Sequence, residues 1–211
     1  LTRFNTKKVS KSDPEMARIM EQLVLGNLLK KYPAELLRFV LLSTHYRGDF
    51  NFNEEDLISS KRRLDRLYRL KKRLFGLTAE LIDTEFKKTL LETLGDDLNV
   101  SKAYALIDEL ISQANEALDT NPKDKAYRQN LLSALATVET VLGFGGQNPF
   151  EYFQFGLDDA TKIKINDLVA QRSEAKRAKD FGLSDSLRDE LTAMGVAIMD
   201  TANGTFWEMR E

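Results

Sequence analysis

Between positions 61 and 73, eight cations, Lys61, Arg62, Arg63, Arg66, Arg69, Lys71, Lys72 and Arg73, are opposed by a single acid, Asp65. Like charges at helical spacing repel by about 0.2–0.5 kcal/mol per pair. A polyphosphate backbone alongside would offset that cost, and the planar fork of arginine suits a phosphate. Lys61, Arg62, Arg66, Arg69 and Arg73 are therefore candidate phosphate contacts. The plainer reading is a solvated helix face, with Leu57, Leu64, Leu67 and Leu74 forming the buried stripe behind it. A second set lies near the C-terminus: Lys176, Arg177, Phe181, Asp185 and Asp200. Here an aromatic ring can stack on a flat ring, carboxylates can accept from amino groups, and cations can hold an anion. The local alternatives are Phe181 as core, Asp185 as a cap or ion-pair partner, and Asp200 as a turn residue.

Composition narrows the chemistry further. The sequence has no cysteine and one histidine, His45, which excludes disulfides, a thiolate metal site and a histidine-rich zinc site. His45 reads as a hydrogen-bonded residue at a helix end. Hydrophobic residues are 42% and charged residues 30% of the chain, a globular balance. No apolar run reaches the length of a bilayer span, and the expected location is the cytoplasm. The net charge of −2 argues against indiscriminate binding to nucleic acid and leaves room for a local basic stripe.

The elements that must hold these residues are mainly helical. Asp13, Pro14 and Glu15 form a helix start, and a helix is expected from Pro14 towards Lys31. Pro33 opens a segment, Leu36 to Leu42, that reads as apolar on nearly all sides. Asn53 caps a helix running to about Phe75. Ala103 to Leu118 and Tyr127 to Leu142 repeat at helical spacing. Gly143, Gly145 and Gly146 break the pattern, and the Gly/Asn/Pro/aromatic stretch through Phe155 reads as a linker. Beyond it, Asp158 caps a helix to about Lys179, and a short helix spans Ser184 to Met194, ending at Gly195. Strands at 196–200 and 205–209 flank an Asn-Gly turn. Trp207 reads as a core residue. The expected fold is mainly α: a helical bundle followed by a small α/β tail with a β-hairpin.

Two stretches resemble cysteinyl-tRNA synthetases. One runs from Leu29 through Ala34-Glu35-Leu36-Leu37-Arg38 and His45-Tyr46-Arg47 to Glu55. The other contains Arg172, Ala175 to Phe181, Asp185, Arg188-Asp189, Leu191, Gly195, Asp200-Thr201, Gly204-Thr205 and Trp207. They occur in that family's order and at its spacing. Lys8-Val9-Ser10-Lys11-Ser12 is similar to the K-M-S-K-S loop of class I synthetases, which holds ATP phosphates as charge builds on the α-phosphate. The alternative is a solvated basic terminus. The stretch Asp13 to Gly26 is longer than the family's link at this point.

The resemblance implies residues 1–13 as a remnant of the K-M-S-K-S-type loop, with Lys8, Ser10, Lys11 and Ser12 vestigial. It implies 14–145 as a tRNA-binding bundle, 146–157 as a linker and 158–211 as a small anticodon-binding domain. Lys176, Arg177, Phe181, Asp185 and Asp200 then fall at anticodon-contact positions. The family usually has Arg where Lys176 stands, so bidentate recognition is assigned to Arg177. The implied function is the tRNA-recognition portion of a cysteine–tRNA ligase, which charges tRNA-Cys using ATP and zinc. With no nucleotide fold and no thiolate-selecting zinc site in these residues, the chain alone is expected to be inactive, with no catalytic residue, metal or cofactor of its own. A separate catalytic half is left open as a partner. The competing readings are a freestanding RNA-binding module, a degenerate helical scaffold, and a ligase joining cysteine to an amino-sugar. The 172–207 signature counts against the last of these.

Overall fold

Residues 3–4, 7–8, 21, 24–78, 85–201 and 204–210 are described in the computed structural model. Contacts divide the chain into two units, Leu1–Gly146 and Gln147–Glu211.

In the first unit, β1 (Arg3–Phe4) pairs antiparallel with β2 (Lys7–Lys8) and parallel with β3 (Asn51–Phe52). Two-residue strands leave no alternation to read, so the sequence predicts none of them. Most of the expected helix from Pro14 lies outside the described residues. The expected helix does not run unbroken to Lys31: Val24 takes extended backbone (φ −59°, ψ 128°), and a separate helix, α1 (Leu25–Lys31), starts after it and buries no side chain. Helix α2 (Ala34–Ser43) follows, with Pro33 at its N-cap. It is not apolar on all sides in practice: Leu36, Leu37, Phe39 and Val40 are buried, but Leu41 is 53% exposed. One face of a single helix suffices for the core, and the run of leucines overstates its burial.

Helix α3 (Glu54–Arg73) starts where Asn53 Oδ1 accepts from the Asp56 N–H at 2.8 Å. Three acids in its first turn and three bases in its last complement the helix dipole. Leu57, Leu64, Leu67, Tyr68 and Leu70 form its buried face. The next helix, α4 (Glu85–Gly95), has no counterpart in the sequence reading, and it buries only Leu90 and Thr93, too few to make a stripe. After it, Asp97 and Leu98 both take left-handed backbone, with φ of 50° and 53°. Asn99 and Asp124 then cap α5 (Val100–Thr120) and α6 (Lys125–Leu142). Phe39 stacks on Tyr104 with ring centres 4.2 Å apart, and Phe144 joins them at 5.0 Å from Phe39.

The glycine segment after α6 is pinned. The Glu35 carboxylate accepts from the Tyr68 hydroxyl and from the N–H groups of Gly145 (3.2 Å) and Gly146 (3.3 Å). The Lys71 ammonium donates to the Gly145 carbonyl. Gly143 sits at φ 74°, and a Cβ there would come within 2.9 Å of the Arg38 guanidinium. The Ala34–Arg38 signature thus has a structural role, since two of its side chains, Glu35 and Arg38, close the bundle against this segment.

In the second unit, the stretch expected as a linker contains α7 (Pro149–Tyr152), capped by Asn148. Phe150 stacks on Phe206 at 4.7 Å, and Gln154 Nε2 donates to the Trp207 carbonyl at 2.9 Å. Helices α8 (Asp159–Arg177) and α9 (Phe181–Ala193) follow. Helix α9 begins three residues before the expected Ser184, because the Asp180 side chain accepts from the Leu183 N–H at 3.0 Å and starts the helix early. The hairpin is β4 (Val196–Thr201) and β5 (Gly204–Met209), in register Val196↔Met209 to Thr201↔Gly204. Ile165, Leu168, Val169, Leu187, Leu191, Val196 and Trp207 make the core between helices and hairpin. Trp207 is core, as its sequence context suggests.

Candidate nucleic-acid interface

The core side chains of α8 turn the opposite stripe, Asn166, Ala170, Ser173, Lys176 and Arg177, outwards. Together with Phe181 and the hairpin residues Asp200, Thr201, Gly204 and Thr205, this stripe lines an open groove of about 780 Å³. Four of the five C-terminal candidates meet there: Lys176, Arg177, Phe181 and Asp200. Asp185 does not line the groove. It is exposed on α9, one turn beyond Phe181.

Asp200 is the best-determined group in the groove. Arg172, only 6% exposed, grips it with two parallel bonds, Nη1 to Oδ1 and Nη2 to Oδ2, both 3.1 Å. Lys176 Nζ donates to Oδ2 at 2.7 Å, and Thr205 Oγ1 to Oδ1 at 2.7 Å. The bonds from Arg172, then Lys176, hold the carboxyl well below the usual carboxylate range, and Thr205 adds to them. Two carboxylate oxygens offer about four acceptor sites. All are taken by protein donors, so this Asp fixes cations more readily than it accepts from a base. The turn is closed by another group: Thr201 Oγ1 donates to the Gly204 carbonyl at 2.9 Å. Phe181 is 64% exposed, with its ring available to stack. Arg177 is also exposed, near Glu174 at 3.3 Å.

On α3 the cations separate into classes. Lys61 pairs with buried Asp65 at 2.7 Å. Arg63 pairs with Asp108 at 2.7 Å and lies over the Phe39 and Tyr104 rings. Arg73 bonds Asn115 Oδ1 and Asp119 at 2.7 and 2.6 Å. Burial pushes the Lys71 ammonium below its usual range, while Glu139 and Glu35 oppose that shift. Arg62 and Arg66, four apart on one exposed face, have no ion-pair partner among the described residues. Of the five candidate backbone contacts, these two are the clearest surface cations.

His45 is hydrogen-bonded on both ring nitrogens. Nδ1 accepts from the Arg47 N–H at 3.3 Å, and Nε2 bonds the Asp97 carbonyl at 2.9 Å. A carbonyl only accepts, so Nε2 carries the proton. The ring braces the left-handed turn at Asp97, with help from Tyr46, whose hydroxyl donates to Asp97 Oδ1 at 2.7 Å. Lys8 lies on β2, while Ser10, Lys11 and Ser12 lie outside the described residues. The zinc that the resemblance implies finds no fit here: the chain has no cysteine, and the described residues hold no group of three His, Cys, Asp or Glu placed for a metal. Among the described residues no helix is long and apolar enough to cross a membrane.

Asn166, Ser173 and Thr205 are groove residues that the sequence reading missed. The signal was present, since 166, 170, 173 and 177 follow the helical spacing of one face.

A helical bundle with an exposed cationic face, and a two-helix-and-hairpin unit with an open groove, have the form of an anticodon-binding region. Residues 91–146 match the model of the DALR domain, and residues 158–207 match that of the cysteinyl-tRNA ligase anticodon binding domain. The DALR match begins well after the Ala34–Arg38 signature. Cysteine–tRNA ligase of Sulfurimonas denitrificans is 58% identical over 87% of this chain and 40% of its own length. Those of Aliarcobacter butzleri and a Sulfurovum species are 49% and 50% identical over 97% of this chain and 43% of theirs. The chain spans about two fifths of the curated relatives it matches. It belongs to the cysteinyl-tRNA ligase family, over that family's helical and anticodon-binding part.

Proposed function

We propose that this chain supplies tRNA recognition for the ATP-dependent charging of tRNA-Cys with cysteine. The second unit reads the anticodon, and the exposed face of α3 meets the tRNA backbone. Such a protein works in the cytoplasm, where translation runs. The observation that carries this reading is the groove that gathers Lys176, Arg177, Phe181 and Asp200 from two helices and a hairpin. Phe181 stacks an unpaired base, and Asp185, one helical turn away, accepts from amino and imino groups such as those of guanine. Lys176 and Arg177 hold the adjoining phosphate, and Asp200 keeps Lys176 in place.

Binding to short stem-loop RNAs tests this. The chain prefers a loop carrying GCA over the same loop with a scrambled anticodon. Phe181→Ala weakens GCA binding about tenfold, from a stacking contribution of roughly 1–3 kcal/mol per base. Its folding is unchanged, because the ring is exposed. Equal binding of both loops by the folded wild-type chain refutes the assignment.

A further inference from the structure

The groove extends well beyond Phe181. Asn166 and Arg177 are eleven residues apart on α8, about 16 Å at 1.5 Å per helical residue. That is too long for one stacked base. The floor between them is low: Val169, Ala170 and Ser173 are small, and the Ser173 hydroxyl is turned back to the Val169 carbonyl at 2.9 Å. The far end carries one exposed polar side chain with a fixed direction. Trp207 Nε1 bonds Asn166 Oδ1 at 2.7 Å. An indole N–H can only donate, so the facing atom of Asn166 must be its carbonyl oxygen. The amide nitrogen, with its two N–H groups, is left on the solvent side. Trp207 is buried in the core of the unit, so the anchor is rigid.

We infer that Asn166 is a second reading position: a directed pair of N–H donors for a base edge that presents acceptors, at the end of the groove opposite Phe181. Resting on the anticodon reading above, this makes the groove a site for more than one nucleotide. One base is selected by stacking and by carboxylate acceptance, and another by amide donation. The edges that fit the amide are those of cytosine, with O2 and N3, or the O6 and N7 side of guanine.

The test uses the chain with a set of stem-loop RNAs, each changed at one anticodon-loop position. Asn166→Asp is nearly isosteric and still accepts from Trp207, but it offers the groove an acceptor. Asn166→Ala removes the amide without adding charge. Trp207 is the only tryptophan, so its emission and the thermal melt check that each variant folds. The expected result is a loss of about tenfold for the GCA loop in both variants, with discrimination erased at one loop position and kept at the base stacked on Phe181. A loss spread evenly over every stem-loop, or no loss, overturns the inference. In either case, if wild-type preference for GCA and the Phe181→Ala effect persist, the anticodon reading stands and only the role of Asn166 falls. If wild type shows no preference among the loops, both fall together.

Discussion

Asp200→Asn isolates the Arg172–Asp200 clamp. The substitution keeps size and shape but replaces one carboxylate oxygen with an N–H donor and removes the charge facing a nearly buried guanidinium. Breaking a fully buried pair by removing one partner costs about 3–5 kcal/mol. The Asp200 side chain is 40% exposed, and water screens its side of the pair, so roughly 2 kcal/mol is expected. For a unit of this size, 1 kcal/mol moves the melting temperature by about 4–8 °C. Asp200→Asn should therefore melt about 8–16 °C lower at neutral pH, followed by emission of Trp207 in the same unit. The pH dependence carries the sharper signature. The folded-state pKa of Asp200 is depressed, so its contribution is complete above the unfolded carboxylate value of about 4 and is lost as pH falls through the depressed value. The gap between wild type and variant stays constant from neutral pH to about pH 5 and narrows progressively below about pH 4. A gap under about 2 °C at neutral pH, or one that does not shrink on acidification, would refute the view that this ion pair holds the hairpin to α8.

The two classes of cation on α3 separate in a salt titration. Arg62→Ala with Arg66→Ala reduces the slope of log affinity against log salt for tRNA by about two, with little change in stability. Arg73→Ala, which breaks the ties to Asn115 and Asp119, lowers stability and leaves that slope nearly unchanged. The closed glycine segment is tested by Glu35→Ala. It removes the acceptor of the Tyr68 hydroxyl and of two backbone N–H groups, so urea denaturation of the helical unit followed by circular dichroism should show a loss of about 2–4 kcal/mol. A loss below 1 kcal/mol would mean that water replaces the carboxylate without difficulty.

Helix positions were legible wherever a cap and an apolar stripe coincide, as at Asn53 with Leu57 and Leu64, or Asp158 with Ile165 and Leu168. They were not legible at α4, where two buried side chains cannot mark a face. The strands at the N-terminal end escaped because their pairing joins positions 3–4 to 51–52, a long-range contact with no local trace. The groove was half legible. Residue type pointed to Phe181 and Arg177, but nothing in the sequence says that Arg172 consumes the acceptor capacity of Asp200, since the two meet only through packing of a helix on a hairpin. Equally, like charges on α3 look alike in sequence. Only the opposing positions of Asp108, Asn115 and Asp119 on α5 distinguish Arg63 and Arg73 from Arg62 and Arg66.

The bonds from Gly145 and Gly146 to Glu35 join positions 110 and 111 residues apart, about three quarters of the length of the first unit. Most other contacts in a helical bundle close early and locally, but this one cannot close until almost the entire unit has been made. During synthesis at about 5–20 residues per second, Glu35 waits at least several seconds for these two N–H groups to leave the ribosome. Until then the carboxylate lacks the two glycine N–H donors, and the Lys71 ammonium lacks the Gly145 carbonyl. Closure of the bundle against this segment is therefore a late step, timed by the arrival of Gly146. A chain cut short at Leu142 would hold every helix of the unit and still be unable to finish it.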